Sequence, residues 1–423
     1  MSNAPEPSSR DLTTPMPAVS PSPVRNAQAT LKAQRADCAL PPGAWLGLLG
    51  GGQLGRMFCM AAQSLGYRVC VLDPGADSPA GSVADRHLQA DYLDAAALDQ
   101  LASLCGAATT EFENVPAAAL ERLARDIAVS PAAAAVAIAQ DRLAEKRFIR
   151  GCGIEVAPYC EVASRDDLLN ADEALFPAIL KVARLGYDGK GQARVADRSE
   201  ALAAFEGAGG FGGMPCVLEK RLALKLELSV VVARGFDGRA VAYPAAENEH
   251  RNGILALSCV PARVDAAITK QASDATLEIA ARLNYVGVLC VEFFLLDDGR
   301  LVVNEMAPRP HNSGHYSIDA CVTSQFEQQV RVLARLPLGS VEMHSPAVMV
   351  NLLGDCWFTE GSDSLPSEPD WPAVLAHPRV KLHLYGKSQA RPGRKMGHAT
   401  VLGETLESCA HTAAEIETLL GIR

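Results

Sequence analysis

Residues 46–57, LGLLGGGQLGRM, constrain the fold of this chain more than any other stretch. An apolar run of strand length passes into a glycine turn and then, from Gln53, into a helical pattern. Such a unit feeds a parallel sheet with helices on its faces. The alternation continues through RVCVLD, a helix in DAAALDQLASLC, AATTEFENVP and a helix in PAAALERLARD, so an α/β domain with a doubly wound parallel sheet is expected from Trp45 to about residue 130. Gly50, Gly52 and Gly55 satisfy the G-x-G-x-x-G dinucleotide fingerprint, and Asp73 ends the second strand where a ribose-binding acid would fall. Three glycines also serve a tight turn and close helix packing, so the motif alone admits a nicotinamide or flavin site or none.

The totals narrow the field. A chain of 423 residues that is 48% hydrophobic has core enough for two or three domains. A net charge of -10 argues against broad nucleic-acid or anionic-membrane binding and confines any basic site to a small pocket. Twelve cysteines stand singly, without C-x-x-C, which implies reduced thiols and a cytoplasmic protein. No run approaches a membrane span, and the N-terminus lacks a signal-peptide core. Residues 1–42 recur in Pro and Ser and read as a disordered tail; Glu6, Asp11 and the prolines spoil a presequence helix.

Two apolar runs in VGVLCVEFFLLDDGRLVVNEM, residues 286–306, flank Asp298-Gly299, a strong hairpin signal. With that dipeptide as a two-residue turn, Glu292 lies directly opposite Glu305. Facing carboxylates in apolar company call for a cation, and oxygen-only ligands favour magnesium shared with a nucleotide's phosphates. The alternative is that both side chains point to solvent at a strand edge. In AILKVARLGYDGKGQARV, residues 178–195, a strand carries Lys181, and Gly186, Gly189 and Gly191 form a loop whose amides could close over phosphate, or an ordinary hairpin. Glu219 and Lys220 end a further strand and Glu227 opens the next, where acids can take ribose hydroxyls.

Together Lys181, GYDGKGQ, LEK at 218–220, Glu227 and the Glu292/Asn304-Glu305 hairpin resemble the ATP-grasp ligases. More narrowly, GGGQLGRM, DPGADSPA, EFENVP, GYDGKGQ, APRPHNSGH and RPGRKMGH, in that order, resemble the 5-(carboxyamino)imidazole ribonucleotide synthases of purine synthesis. The resemblance implies an ATP-grasp fold with an N-terminal Rossmann-like domain at 43–140, an ATP-grasp domain at 141–338 whose lid covers about 155–222, and a small β-rich domain at 339–423. It implies ATP-dependent carboxylation of 5-aminoimidazole ribonucleotide by bicarbonate, through carboxyphosphate, in a homodimer. ATP contacts would come from Arg142, Lys181, Gly186, Tyr187, Asp188, Gly189, Lys190, Gly191, Gln192, Glu219, Lys220, Arg221, Leu222, Glu227, His250, Asn304 and Glu305. Glu292 and Glu305 would bind Mg2+, with Mn2+ as a substitute.

Tyr187, Asp188, Arg309, His311 and Lys395 would form the bicarbonate and amine site, with Asp188 or His311 taking the amine's proton. The turn at 50–55 then becomes an anion site for the ribonucleotide's 5′-phosphate, with Gly52, Gln53, Leu54 and Arg56 nearby, Arg394 and Lys395 reaching in, and Glu111 meeting the imidazole. Glu113, at the same strand end, would meet the imidazole with Glu111, the alternative for both being an N-cap or a solvent-facing role. His311 and His315 do not form a zinc pair, since Pro308, Pro310 and Gly314 break a helix. Arg184-Leu185 stands where relatives carry Thr-Gly, which predicts a stiffer lid. Rival expectations are another ATP-grasp ligase of the formate-dependent transformylase or biotin carboxylase type, an NAD-binding oxidoreductase, and a non-catalytic nucleotide sensor.

Overall fold

Five parallel strands open the fold: β1 (Trp45–Leu49), β2 (Arg68–Leu72), β3 (Arg86–Leu88), β4 (Ala107–Thr110) and β5 (Ala128–Val129), in the order β3-β2-β1-β4-β5. The computed structural model describes residues 1, 38–184, 186, 191–207, 211, 214–358 and 365–422. The strands are buried on both faces, which explains their unbroken apolar runs. Helices Gln53–Ser64 and Ala95–Leu104 pack on the sheet, the second started by Asp94, whose carboxylate accepts the Ala97 N–H at 2.8 Å. Residues of the expected tail nearest the sheet are tied down: Leu40 N–H bonds Ala334 O at 2.9 Å, and Tyr67 O–H donates to Leu40 O at 2.7 Å.

A short helix, Ala133–Ala139, leads to helix Arg142–Gly151, which is capped by Asp141. Its buried face holds Glu145 and Lys146 beside Ile149, so two charges occupy positions where an amphipathic reading places only apolar groups. Next comes a four-stranded antiparallel sheet of β6 (Tyr159–Val162), β7 (Ala178–Val182), β8 (Gln192–Val195) and β9 (Cys216–Lys220), ordered β6-β9-β7-β8. Of the glycine loop expected to close over phosphate, Tyr187, Asp188, Gly189 and Lys190 lie outside the described residues.

The remaining strands form one nine-stranded sheet. They are β10 (Leu224–Arg234), β11 (Ala240–Ala242), β12 (Ala246–Arg251), β13 (Ile254–Val260), β14 (Gly287–Leu296), β15 (Leu301–Ala307), β16 (Ala347–Leu353), β17 (Val380–Leu384) and β18 (Lys395–Leu402). The order is β15-β14-β10-β12-β13-β16-β18-β17, with β11 on β10, so the C-terminal strands extend the sheet that carries the acidic hairpin. Leu228, Val230, Val232, Leu289 and Val291 on one face pack against helix Ala266–Arg282. The period of two then sends Glu227, Ser229 and Glu292 to the other face.

The hairpin differs from expectation at its turn. Leu296 N–H bonds Arg300 O, so the loop is the three residues 297–299, with Gly299 at φ +85°. That is the three-residue turn closed by a left-handed glycine. A bulge then inserts Asn304, shifting the pairing from Phe293–Val303 to Glu292–Glu305. The two offsets cancel, and the two carboxylates do face each other.

Candidate active site

The acids of the hairpin are each met by a nitrogen donor. Arg142 Nη1 lies 2.7 Å from Glu305 Oε2, and His311 Nε2 lies 2.9 Å from Glu292 Oε1. The solvent-edge alternative therefore fails, since both groups sit in a partly closed polar cluster. Burial would raise the Glu292 carboxyl, but His311 beside it holds it low. Burial lowers the His311 imidazole, while Cys290 and Glu292 push it up to about 10. Against that, Ser313 N–H points at His311 Nδ1 from 3.3 Å, which requires that nitrogen to be bare. The backbone donor cannot turn away, so the hydrogen-bond geometry decides for the neutral ring.

Next to Arg142, the buried Glu219 bridges two buried lysines, Lys146 at 2.8 Å and Lys181 at 3.2 Å. Burial would raise the Glu219 carboxyl, but Lys181 and Lys146 hold it at about 2. Burial lowers the Lys181 ammonium, with Glu219 opposing. Glu145 accepts the Met306 N–H at 2.6 Å and is pushed up to about 8 by burial and by Glu305. The Asn304 Oδ1 is buried without a hydrogen-bond partner, an acceptor left for a ligand. Glu227 Oε2 lies 2.7 Å from His250 Nδ1; burial opposes charge on that imidazole, and Glu227 outweighs it and raises the ring.

The other predicted nucleotide contacts frame this cluster. Gly186 precedes the undescribed part of the loop, Gly191 lies at φ +71°, and Gln192 starts β8 opposite Lys181. Lys220 ends β9, Arg221 N–H bonds Pro177 O, and Leu222 packs against Ala157, Leu296 and Val302.

A second group joins the parallel sheet to this site. Arg309 forms an ion pair with Glu113, at the end of the loop that follows β4. Burial would raise Glu113, but Arg309 holds it at about 2. Sequence reasoning had Glu113 meet the imidazole, or serve as an N-cap or face solvent, and did not foresee its pairing with Arg309. Lys387, which it missed entirely, donates to Gln53 Oε1 at 2.6 Å and to Lys395 O, and so links the first helix to the C-terminal strands. Lys146 and Glu145 were also missed, although the spacing that buries Ile149 carries them onto the same helix face.

The glycine turn is occupied differently from expectation. Glu111 accepts the Gly52 N–H and, at 3.2 Å, the Leu54 N–H, so its carboxylate fills the helix N-terminus assigned to phosphate. A Cβ at Gly52 would overlap that carboxylate, which explains the glycine. Burial pushes Glu111 up to about 7 against the pull of the Gly52 amide. A phosphate dianion on the same amides would face this carboxylate, so the cationic side of the turn, with Lys387 and Lys395, suits it better. Arg394 Nη1 donates to Gln389 O at 2.7 Å on an exposed loop, and Arg56 Nη1 donates to Ser82 Oγ at 3.1 Å. Asp73 accepts from Tyr92 O–H at 2.7 Å and from Gly75 N–H at 2.8 Å, so it is engaged within its own loop.

The comparisons with known proteins agree in order along the chain. The ribonucleotide synthetase preATP-grasp domain model matches residues 44–140, the ATP-grasp domain model 147–326, and the phosphoribosylaminoimidazole carboxylase C-terminal domain model 347–412. The N5-carboxyaminoimidazole ribonucleotide synthase of Brucella melitensis is 45% identical over 365 residues, 86% of this chain and 97% of that protein. The same enzyme of Bacillus subtilis is 44% identical over 365 residues, 85% of this chain and 92% of that one. Among solved structures, the Staphylococcus aureus synthetase complexed with ADP aligns with a TM-score of 0.82 at 39% identity, covering 91% of this chain and 99% of that one. The Aspergillus clavatus synthase in complex with ADP and 5-aminoimidazole ribonucleotide aligns at 0.79 with 32% identity, over 90% and 99%. With the six sequence blocks, the acidic hairpin and three domain matches all in register, this chain belongs to the N5-carboxyaminoimidazole ribonucleotide synthase family of ATP-grasp ligases.

Proposed function

We propose that the chain uses ATP and bicarbonate to carboxylate the amine of 5-aminoimidazole ribonucleotide, releasing ADP and phosphate. The observation that carries this is the facing pair Glu292 and Glu305, met by His311 and Arg142, one step from the buried Lys146–Glu219–Lys181 triad. The pair fits a magnesium ion: two carboxylates with the unpartnered Asn304 Oδ1 nearby make an oxygen-only donor set. Bound there, Mg2+ or Mn2+ would neutralise charge on the nucleotide's phosphates.

The chemistry follows from what bicarbonate lacks. It is a poor electrophile, so its oxygen attacks the γ-phosphorus and ADP departs. The resulting carboxyphosphate breaks its C–O bond to give phosphate and carbon dioxide, and the amine nitrogen bonds to that carbon and loses a proton. Phosphoryl transfer is mainly positioning and charge neutralisation. Lys181 and Arg142 supply positive charge, Glu219 keeps Lys181 and Lys146 placed, and Glu227 with His250 holds the ribose end. Arg309, oriented by Glu113, presents its guanidinium to the bicarbonate oxygens. Lys387 and Lys395 bind the 5′-phosphate beside Gln53, and Glu111 takes the sugar or imidazole. The GYDGKGQ loop is assigned as the lid that keeps water from carboxyphosphate. The working form is a homodimer. Among the described residues no helix is long and apolar enough to cross a membrane.

Phosphate release from MgATP, with and without the aminoimidazole ribonucleotide and at controlled bicarbonate, tests the proposal. Release that requires the ribonucleotide and tracks bicarbonate supports it. Release driven by formate in place of bicarbonate would overturn it in favour of a transformylase.

A further inference from the structure

Helix Gln325–Leu333 buries three glutamines that the reaction above does not use. Gln325, Gln328 and Gln329 share one face, at spacings of three and four. Beside them Phe326, Val330 and Leu333 pack on Leu54, Met57 and Phe58 of the helix from Gln53, so the helix is firmly seated against the parallel-sheet domain. A buried primary amide is costly unless it finds hydrogen-bond partners. Each of these reaches a different segment of the chain.

Gln325 brackets one residue of the loop that follows β15. His311 N–H donates to Gln325 Oε1 at 2.9 Å, and Gln325 Nε2–H donates to His311 O at 2.7 Å. The pair of bonds resembles that between two strands, because a primary amide carries donor and acceptor side by side as a peptide does. Its orientation follows from the backbone, whose N–H and C=O cannot exchange places. The loop closes tightly onto this amide: a Cβ at Gly314 would lie 2.5 Å from Gln325 Oε1. One turn further along the helix, Gln329 Nε2–H donates to Thr109 Oγ1 at 3.1 Å, near the end of β4. Gln328 makes a second bracket away from both segments. Gly339 N–H donates to its Oε1 at 3.0 Å, and its Nε2–H donates to Gly339 O at 2.7 Å.

The two segments held by Gln325 and Gln329 are those from which Arg309 and Glu113 project. Arg309 stands two positions before His311, Glu113 follows Thr109 by four, and the two side chains pair. An ion pair between long side chains fixes little by itself unless the backbones that carry them are fixed. We infer that Gln325 and Gln329 are positioning residues for the carboxylation step. One helix face fastens both segments and so sets where the Arg309 guanidinium, oriented by Glu113, meets bicarbonate. Gln325 acts through the His311 backbone and Gln329 through the end of β4; neither touches the reacting atoms. The inference rests on the proposed function, in which Arg309 holds bicarbonate.

The test compares Gln325→Met, Gln329→Met and Gln328→Met in the full chain, by ribonucleotide-dependent phosphate release at varied bicarbonate and varied MgATP. Methionine keeps the length of the side chain and removes the amide. All three variants lose buried hydrogen bonds and should lower the Tm by a few degrees, so a purely structural role predicts the same kinetics for all of them. Positioning predicts a split. Gln325→Met should lower kcat/KM for bicarbonate by about tenfold to a hundredfold, and Gln329→Met by a smaller factor, with the KM for MgATP within about twofold of the wild type. Gln328→Met should keep wild-type kinetics. Wild-type bicarbonate kinetics in both Gln325→Met and Gln329→Met, or an equal loss in Gln328→Met, would refute the positioning role; so would a parallel rise in the KM for MgATP. If Gln325→Met does not fold, Gln329→Met against Gln328→Met decides. Absence of ribonucleotide-dependent release in the wild type would refute the proposed function and this inference with it, whereas wild-type release with unaffected variants refutes the inference alone.

Discussion

Glu219→Gln removes one charge from the buried triad and nothing else of substance. The carboxylate lies between Lys146 and Lys181, and the three side chains are 3%, 1% and 9% exposed, so solvent screens little of the interaction. The lysines hold the Glu219 carboxyl at about 2 although burial opposes them, against an ordinary 4.5. That gap corresponds to about 3 kcal/mol at neutral pH. Breaking a buried ion pair by removing one partner costs about 3–5 kcal/mol, in agreement. Because the folded carboxyl is depressed, its contribution is whole above the unfolded value and fades as pH falls from about 4.5 through about 2. Glutamine preserves volume and an acceptor oxygen, so no cavity term enters. With a melting entropy of roughly 0.8 kcal/mol per kelvin for a unit this size, the Tm should fall by about 4 °C at pH 7. The difference should narrow at pH 3. Calorimetry of wild type and variant at both pH values measures it, and Lys146→Met in the Glu219→Gln background should recover part of the loss by removing a stranded cation. A drop below about 1 °C at pH 7, or a further fall on adding Lys146→Met, would refute the electrostatic account.

Three more outcomes are expected. Glu305→Gln should cut turnover by about two orders of magnitude at saturating magnesium with the circular dichroism spectrum intact; unchanged turnover would remove the hairpin from the metal site. Lys387→Met and Lys395→Ala should raise the KM for the aminoimidazole ribonucleotide by about tenfold or more while sparing that for ATP, and equal losses for both substrates would contradict the phosphate assignment. Glu111 is raised to about 7 by burial, so the folded state binds the extra proton between about 4.5 and 7 and the wild type should lose about 3 kcal/mol as pH rises through that window. Urea midpoints of wild type and Glu111→Gln at pH 5 and pH 8 test this, since the glutamine variant should lack that slope.

Elements carried by an apolar run or a 3.6 period were legible in the sequence: β1, β2 and β4 of the parallel sheet, the helices from Gln53 and Ala95, and the acidic hairpin; the three-residue β3 and two-residue β5 are too short to stand out. Lys181, Glu219 and Glu227 also fall on the strands expected of them. Lys146 and Lys387 were not legible, because a lysine on a helix and a lysine in a loop read as surface until a buried partner is known. Their partners, Glu219 and Gln53, lie 73 and 334 positions away, and no local pattern reports such pairings. Glu111 at the helix N-terminus was missed for a related reason. A glycine turn before a helix attracts an anion in general, and only the return of β4 to the same edge of the sheet brings this chain's own carboxylate there.

The hairpin shows how a correct pairing can follow from an incomplete geometry. A two-residue turn at Asp298-Gly299 puts Glu292 opposite Glu305, and so does the observed three-residue turn with its bulge at Asn304. The two differ in what surrounds the acids. An unbroken ladder would leave Asn304 paired within it, on the face opposite Glu305. The bulge frees Asn304 from a one-to-one partner, and its side-chain oxygen is left buried and unpartnered. A donor set of two carboxylates thereby gains a neutral oxygen close by. Evolution of such a site needs only an inserted residue near a turn, where the ladder is easily shifted, and a glycine that accepts the left-handed conformation closing the longer loop. Deleting Asn304 should therefore remove the bulge and its neutral oxygen while Glu305, then next to Val303, stays opposite Glu292.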